Sequence, residues 1–252
     1  MWPAETIWEA VAPLIPGFTV EVLPRVDSTN TELMRRARGG RVEPVLLVAE
    51  VQTAGRGRLG RQWQSGAGDS LTFSLGLALA PADWSGLSLA VGAALAESLH
   101  PQVRLKWPND LWLADRKLGG ILIETASHGE GGQARRYAVI GVGLNLAERP
   151  ADGLSTPPAW LGEVLPGVAA GEVLQRVALP LARAVLGFEA SGFAAFRARF
   201  DARDALRDRA VVLSDGTAGI AYGTTETGAL LVHTSGGMNI VTSSEVSVRP
   251  AA

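Results

Sequence analysis

Residues 45–52, VLLVAEVQ, form a continuous apolar run of strand length that leads within three residues into GRGRLGR at 55–61. A run without alternation belongs to a strand covered on both faces, so apolar layers must lie on either side of it. The segment that follows is its opposite: Arg56, Arg58 and Arg61 are spaced by Gly55, Gly57 and Gly60, where almost no side chain can pack. Glycines let a backbone approach a ligand closely and expose its N–H groups, and guanidinium groups offer forked hydrogen bonds to phosphate or carboxylate. The formal net charge of the chain is −2, so there is no broad cationic field for duplex DNA or an anionic membrane. The arginines are a local device, and an anion is the expected reason for them.

The 252 residues suffice for a globular domain with a sizeable core and a smaller companion. With 47% apolar and 19% charged residues the chain has an ordinary globular composition. The lack of cysteine removes disulfides, thiolate catalysis, zinc–thiolate sites and thioester intermediates together, and fits a reducing compartment. His100, His128 and His233 are scattered, which argues against an imidazole metal cage. The N-terminus carries Glu5 and Glu9 with no cationic lead, and no apolar run approaches the roughly 18 residues of a membrane span. A cytoplasmic protein with no membrane partner is expected.

Periodicity predicts a short amphipathic helix over 4–14, a strand over 18–26, and a helix over about 30–38. Thr29 and Glu32 have the form of a capping box at the start of that second helix, and Gly39 stands where a C′ glycine would. LTFSLGLAL (71–79) alternates as a strand with one richly apolar face, LSLAVGAALAESL (87–99) reads as a buried helix, and VRLKW as a strand. DLWLADRKLGGILIE reads as a hairpin turning near Ala114 and Asp115, YAVIGVGLNL as a further strand, and 171–189 as a helix kinked at Pro180. A shorter helix is expected around 193–200. From about residue 206 short strands separated by Gly, Ser and Thr turns predict a small antiparallel barrel, giving units 1–205 and 206–252.

KWPNDLW (106–112) sets a basic residue, a rigid Trp-Pro step and an Asn-Asp pair at a strand-to-strand turn. Asn109 and Asp110 are oxygen ligands suited to hard Mg²⁺, although an Asn-Asp turn after proline is also common for backbone reasons alone. Lys117 precedes Gly119 and Gly120, whose bare backbone would let a ligand lie against the strand. No G-x-x-x-x-G-K-[ST] loop occurs, and GVGLN (141–145) lacks the third glycine of a dinucleotide turn, with Leu146 in its place. A nucleotide, if bound, is held in another way.

Taken in order, DSTN (27–30), Gln52, GRGRLGRQW (55–63), KWPND (106–110), KLGGIL (117–122) and GVGLN (141–145) resemble the biotin protein ligases, over roughly residues 20–146. GIAYGTTETGALLV (219–232) is similar to the glycine-punctuated barrel that ends these enzymes. The resemblance implies an α+β fold: a mixed-sheet catalytic domain flanked by helices, of the biotin/lipoate ligase and class II synthetase type, with a C-terminal SH3-like β-barrel. It implies activation of biotin by Mg²⁺·ATP to biotinyl-5′-adenylate, then transfer to a lysine of a biotin carrier domain of an acetyl-CoA or pyruvate carboxylase.

By motif, the resemblance implies that Ser28, Thr29 and Asn30 line the biotin head-group end, with Gln52 as a further polar contact. Arg56, Gly57 and Arg58 would form the loop over the adenylate, Arg58 being catalytic. Lys117 would reach the biotin carboxylate and the α-phosphate, and Gly119 and Gly120 would be the floor under biotin. Asn109 and Asp110 would handle the phosphates, Asp110 with the metal, and Asn145 the nucleotide side. Trp63 is a candidate water shield, and Trp160, within the proline-rich 150–167 segment, a candidate adenine partner. Only 26 residues precede DSTN, so ligase activity without operator binding is expected; monomer and homodimer stay open. Alternatives are a lipoate or octanoate ligase of the same fold, a non-enzymatic biotin or nucleotide sensor, and, least of all given the charge, a nucleic-acid module.

Overall fold

The computed structural model describes residues 2–127, 135–149, 157–242 and 248–250. Helix α1 (Ala4–Val11) precedes strand β1 (Thr19–Val26), helix α2 (Thr29–Arg38) and strand β2 (Val45–Gln52). A small hairpin of β3 (Gly55–Arg56) and β4 (Gln62–Trp63) leads to β5 (Ser70–Leu79), α3 (Leu87–Leu99) and β6 (Arg104–Lys106). Strands β7 (Asp110–Leu113), β8 (Arg116–Ser127) and β9 (Arg136–Asn145) follow. Then come α4 (Ala170–Ser191), which runs through Pro180, a 3₁₀ turn over Phe193–Phe196, and α5 (Arg197–Asp201). The chain ends in β10 (Ala210–Leu213), β11 (Ala218–Thr224), β12 (Leu230–Thr234), β13 (Gly237–Val241) and β14 (Val248–Pro250).

Several expected boundaries shift for local reasons. Helix α1 stops at Val11, because Pro13 has no N–H to continue the ladder. The N-cap of α2 is Ser28 and not Thr29, its hydroxyl accepting from Thr31 N, and the positive φ (83°) that closes the helix falls on Gly40 and not Gly39. The β7–β8 turn is where expected, with Ala114 and Asp115 at φ 48° and 58°.

The seven-stranded sheet runs β1-β2-β5-β9-β8-β7-β6, parallel at β1–β2 and antiparallel at the other pairings, which makes it mixed. Side chains alternate across a strand, so register decides which residues share a face. Leu71, Phe73 and Leu75 pair with Leu144, Val142 and Ile140, and this row joins α3 and α4 in the main core. The opposite face carries Thr72, Ser74 and Gly76 of β5 with Gly143, Gly141 and Val139 of β9. Helix α2 covers part of that second face, burying Leu33 and Met34 against Val45, Leu47 and Tyr137. Strand β5, expected to have one richly apolar face, is buried on both sides: Ser74 lies under α2, bonded to Asn30, and Thr72 donates to Ala49 O at the cavity floor.

The C-terminal unit is a five-stranded antiparallel sheet, β13-β12-β11-β10-β14. The barrel expected from the strand spacing is, over the described residues, open: β14 has three residues and pairs with β10, and no ladder joins it to β13. This sheet is tied to β6. Leu105 N donates to Arg203 O at 2.8 Å and Ala205 N to Leu105 O at 2.8 Å, so the connecting segment lies along the edge strand. The indole N–H of the fully buried Trp107 donates to Gly228 O at 3.0 Å. The KWPND turn that follows β6 is thereby held from both units.

Candidate active site

A cavity of about 520 Å³ opens on the α2 face of the sheet, within the size range of small-molecule sites. Its floor follows from register: Gly120 pairs with Gly143 across β8–β9, Thr72 pairs with Gly143 across β5–β9, and Gly141 lies two residues along. With no bulk above the sheet here, the space stays open. A Cβ at Gly143 would come within 2.4 Å of the Trp63 ring, so that indole packs directly against Gly143 and lines the cavity. Gly119 faces the other side of the sheet, where a Cβ would meet Gly143 O at 2.5 Å, and it does not line the cavity; its expected place as floor falls to Gly120 alone.

One end of the cavity is neutral and polar. The N-terminus of α2 brings Ser28, Thr29 and Asn30 there, all nearly buried. Gln52 Oε1 accepts from both the Thr29 backbone N–H (2.7 Å) and the Thr29 hydroxyl (3.1 Å). The Asn30 amide is engaged within the protein: Nδ2 donates to Leu122 O (3.1 Å) and Glu124 Oε2 (2.9 Å), while Oδ1 accepts from Ser74 Oγ (2.7 Å). Gly141 makes room for it, since a Cβ there would stand 2.1 Å from Asn30 Oδ1.

The other end is cationic. Across β3–β4, Gly55 pairs with Trp63 and Arg56 with Gln62, and Gly57 N donates to Arg61 O at 2.7 Å, so the Arg-Gly segment is a closed hairpin over the cavity. Arg56 reaches Glu124 at 2.6 Å, and Arg58 donates to Asn109 Oδ1 at 3.2 Å. Burial holds the Arg58 guanidinium below its ordinary value, opposed by Asp110 and assisted by Arg61. Asn109 is itself fixed by donation to Ile121 O at 2.9 Å. Asp110 pairs with Lys117 at 2.7 Å and stands 3.9 Å from Lys106, which also lies over the Trp112 ring at 5.2 Å.

Among the described residues the wall presents six cations (Arg56, Arg58, Arg61, Lys106, Lys117 and Arg149) against one carboxylate, Asp110. In a chain of net charge −2, this concentration suits a polyanion. Burial also lowers Arg149, opposed by Asp69. Asn145 is 5% exposed and braces the wall, donating to Ala159 O at 3.0 Å and to Lys117 O at 3.5 Å. Trp160 is not on the wall: its ring is covered by the Arg116 guanidinium at 5.7 Å, and Pro158 takes the nearby wall position. The remainder of the 150–167 segment up to residue 156 lies outside the described residues.

All the site residues expected from the sequence except Gly119 and Trp160 line one cavity. Lys106, Arg149, Gly141 and Gly143 were not among the residues singled out for the site. Two signals were present: Lys106 opens KWPND, and two glycines at strand period stand in GVG.

The chain is similar to known proteins along nearly its whole length. The profile described as "Biotin/lipoate A/B protein ligase family" matches residues 22–145, and that described as "Biotin protein ligase C terminal domain" matches 210–249. The bifunctional ligase/repressor BirA of Escherichia coli is 38% identical over 248 residues, covering 94% of this chain and 76% of that protein. The biotin–[acetyl-CoA-carboxylase] ligase of Paracoccus denitrificans is 37% identical, covering 89% of this chain and 98% of its own. Among solved structures, the biotin protein ligase of Aquifex aeolicus in complex with biotin and ATP matches at TM-score 0.76 and 29% identity, over 92% of this chain and 99% of that one.

Proposed function

The chain belongs to the biotin protein ligase family, and from this premise we infer how its cavity activates biotin with ATP and passes it to a protein. The carrying observation is the make-up of the cavity, whose α2 end is lined by neutral hydrogen-bonding groups and whose wall carries six cations and one carboxylate, with Arg58, Lys106 and Lys117 gathered about Asn109 and Asp110.

Biotin has the matching polarity. Its ureido head carries N–H donors and a carbonyl acceptor, and Ser28, Thr29 and Gln52 are the groups that satisfy them; unpaired, such groups cost about 1–3 kcal/mol each in a dry site. Asn30 shapes this end from behind, since its own amide is already engaged. The apolar ring and chain lie over Gly120 toward the cations. There the carboxylate must approach the α-phosphate, two anions that repel. Lys117, Arg58 and Arg56 with Gly57 neutralise and align them, and the carboxylate oxygen attacks phosphorus as the bond to pyrophosphate breaks. In the second step a lysine amine attacks the acyl carbon of biotinyl-5′-adenylate and AMP leaves.

Asp110 is the carboxylate that would hold Mg²⁺, with Asn109 beside it. One carboxylate flanked by Lys117 and Lys106 suits a cation carried chiefly by nucleotide phosphates rather than by a protein cage. When bound, Mg²⁺ supplies charge neutralisation and orientation of those phosphates. Asn145 supports the nucleotide side by holding the 157–160 segment and the Lys117 backbone.

The proposed acceptor is the biotin carrier domain of an acetyl-CoA or pyruvate carboxylase, in the cytoplasm, with residues 1–205 binding biotin and ATP and 206–252 bracing the KWPND turn. ATP–pyrophosphate exchange with biotin, lipoate and octanoate compared tests the first step. Exchange that depends on biotin is the expected result; exchange with lipoate alone, or with none, would refute the reading.

A further inference from the structure

The β3–β4 hairpin carries Arg56 and Arg58 but forms its own two-stranded ladder, with no backbone pairing to the main sheet among the described residues. Its arms are fixed at the base, where Ala54 N donates to Asp27 O and Gln52 N to Ser65 Oγ, both at 2.8 Å. Beyond the base, the arginines themselves reach the body of the protein, and Arg56 does so through a residue outside the cavity wall. Glu124 stands on β8, on the same face as Gly120 and Leu122 and two residues beyond the latter. Its Oε2 takes both the Arg56 guanidinium, at 2.6 Å, and the Asn30 amide, at 2.9 Å. Asn30 is immobilised by Leu122 O and Ser74, so Glu124 is held on one side by a fixed group and on the other grips the hairpin.

We propose that Glu124 is a positioning residue for the arginine hairpin: it seats Arg56 against the head-group end and so sets Arg58, two residues on, beside Asn109 at the phosphate end. The proposal rests on the adenylation reading for the purpose of the hairpin, not for its geometry. Glu124 touches no reactant. It fixes how far the loop stands from the sheet, and an exposed arginine without that partner samples open positions. Side-chain exposures of 44% for Arg56 and 25% for Glu124 put the pair in the range of a partly screened contact, enough to bias a small hairpin by about two- to fivefold.

The test compares the whole protein with Glu124→Gln, Arg56→Gln, the double variant and Arg56→Lys. Glutamine keeps an acceptor for Asn30 and removes the charge that holds Arg56. The readouts are trypsin cleavage after Arg58 and Arg61 without ligand, followed by mass spectrometry, the KM for biotin in pyrophosphate exchange, and thermal unfolding. Cleavage is expected to rise by about two- to fivefold in either glutamine variant, no further in the double variant, and less in Arg56→Lys, while KM rises by that factor in Glu124→Gln and further in Arg56→Gln, whose guanidinium also serves the anions, with unfolding unchanged. Wild-type cleavage in Glu124→Gln, or effects that add in the double variant, would overturn the proposal. Wild-type protein that shows no biotin-dependent exchange, while the cleavage pattern holds, would instead sink the adenylation reading and leave the latch standing.

Discussion

Lys117 is a residue whose proposed work is owed to ligand rather than to fold. Its side chain is 44% exposed and its contact at 2.7 Å is with Asp110, so little of the core depends on it. Lys117→Ala is expected to lower biotin-dependent pyrophosphate exchange by about 10²- to 10³-fold, the size of effect seen when one group stabilising transition-state charge is removed. The thermal midpoint should stay within about 2 °C of wild type. Loss of a cooperative transition in that variant would mean that the lysine is structural. Gly141 is the opposite case. A Cβ there would stand 2.1 Å from the Asn30 Oδ1 that Ser74 also holds, with no free direction of escape. Gly141→Ala is expected to destabilise the protein by about 1–3 kcal/mol in urea unfolding, as overpacked cores do, and unchanged stability would show that Asn30 has another rotamer available.

At the scale of elements, the hairpin and the KWPND turn do different work from the sheet beneath them. The sheet supplies a flat floor because Gly120, Gly141 and Gly143 fall on one face; the hairpin and turn supply charge. The hairpin closes tightly at Gly55, where a Cβ would come 2.4 Å from the Trp63 carbonyl oxygen. Gly55→Ala must push β3 and β4 apart, moving Arg56 and Arg58 by a fraction of an ångström to an ångström. A displacement of that order costs up to about 10²-fold in a reaction that depends on alignment. Exchange activity should fall at least about tenfold with little change in melting, since the hairpin contributes little buried surface. Activity equal to wild type would show that the loop re-forms in a productive geometry.

For the whole molecule, the joint between the units carries a titratable group. Asp204 is 2% exposed; burial pushes its carboxyl up to about 6, opposed by the hydrogen bond from Leu206 N and by Arg207 and Arg104, and reinforced by Asp201. Its Oδ2 has no hydrogen-bond partner among the described residues. Because the folded state prefers the neutral acid, this group favours folding fully at low pH, and that contribution is lost as pH rises from about 4 through about 6. A carboxyl raised from 3.8 to about 6 corresponds to about 3 kcal/mol. Asp204→Asn keeps an acceptor for Leu206 and removes the charge, so its stability relative to wild type should increase between pH 4 and pH 6 and level off above. A difference independent of pH, measured by urea unfolding across that range, would refute the assignment.

Most of the elements were legible because their signals are local. The apolar run at 45–52 is a strand buried over Val45–Ala49, and the turn at Ala114–Asp115 and the helix over 87–99 stand where periodicity and turn chemistry put them. The residues that line the cavity also stood out in the sequence, since Gly-Arg and Asn-Asp clusters do not read as core. The sequence by itself therefore determined which segments are strand, helix and loop, and which stretches stand apart from the packed elements. Tertiary structure alone decided which of them meet. The split between Gly119 and Gly120 depends on the β8–β9 register, since one pleat sends one to the core and its neighbour to the cavity. The burial of Ser74 depends on α2, whose Thr29 and Asn30 meet its hydroxyl. Glu124 could not be read at all from its surroundings in the chain: Asn30 and Arg56 lie 94 and 68 residues away in sequence, and only the folded sheet brings all three to one oxygen.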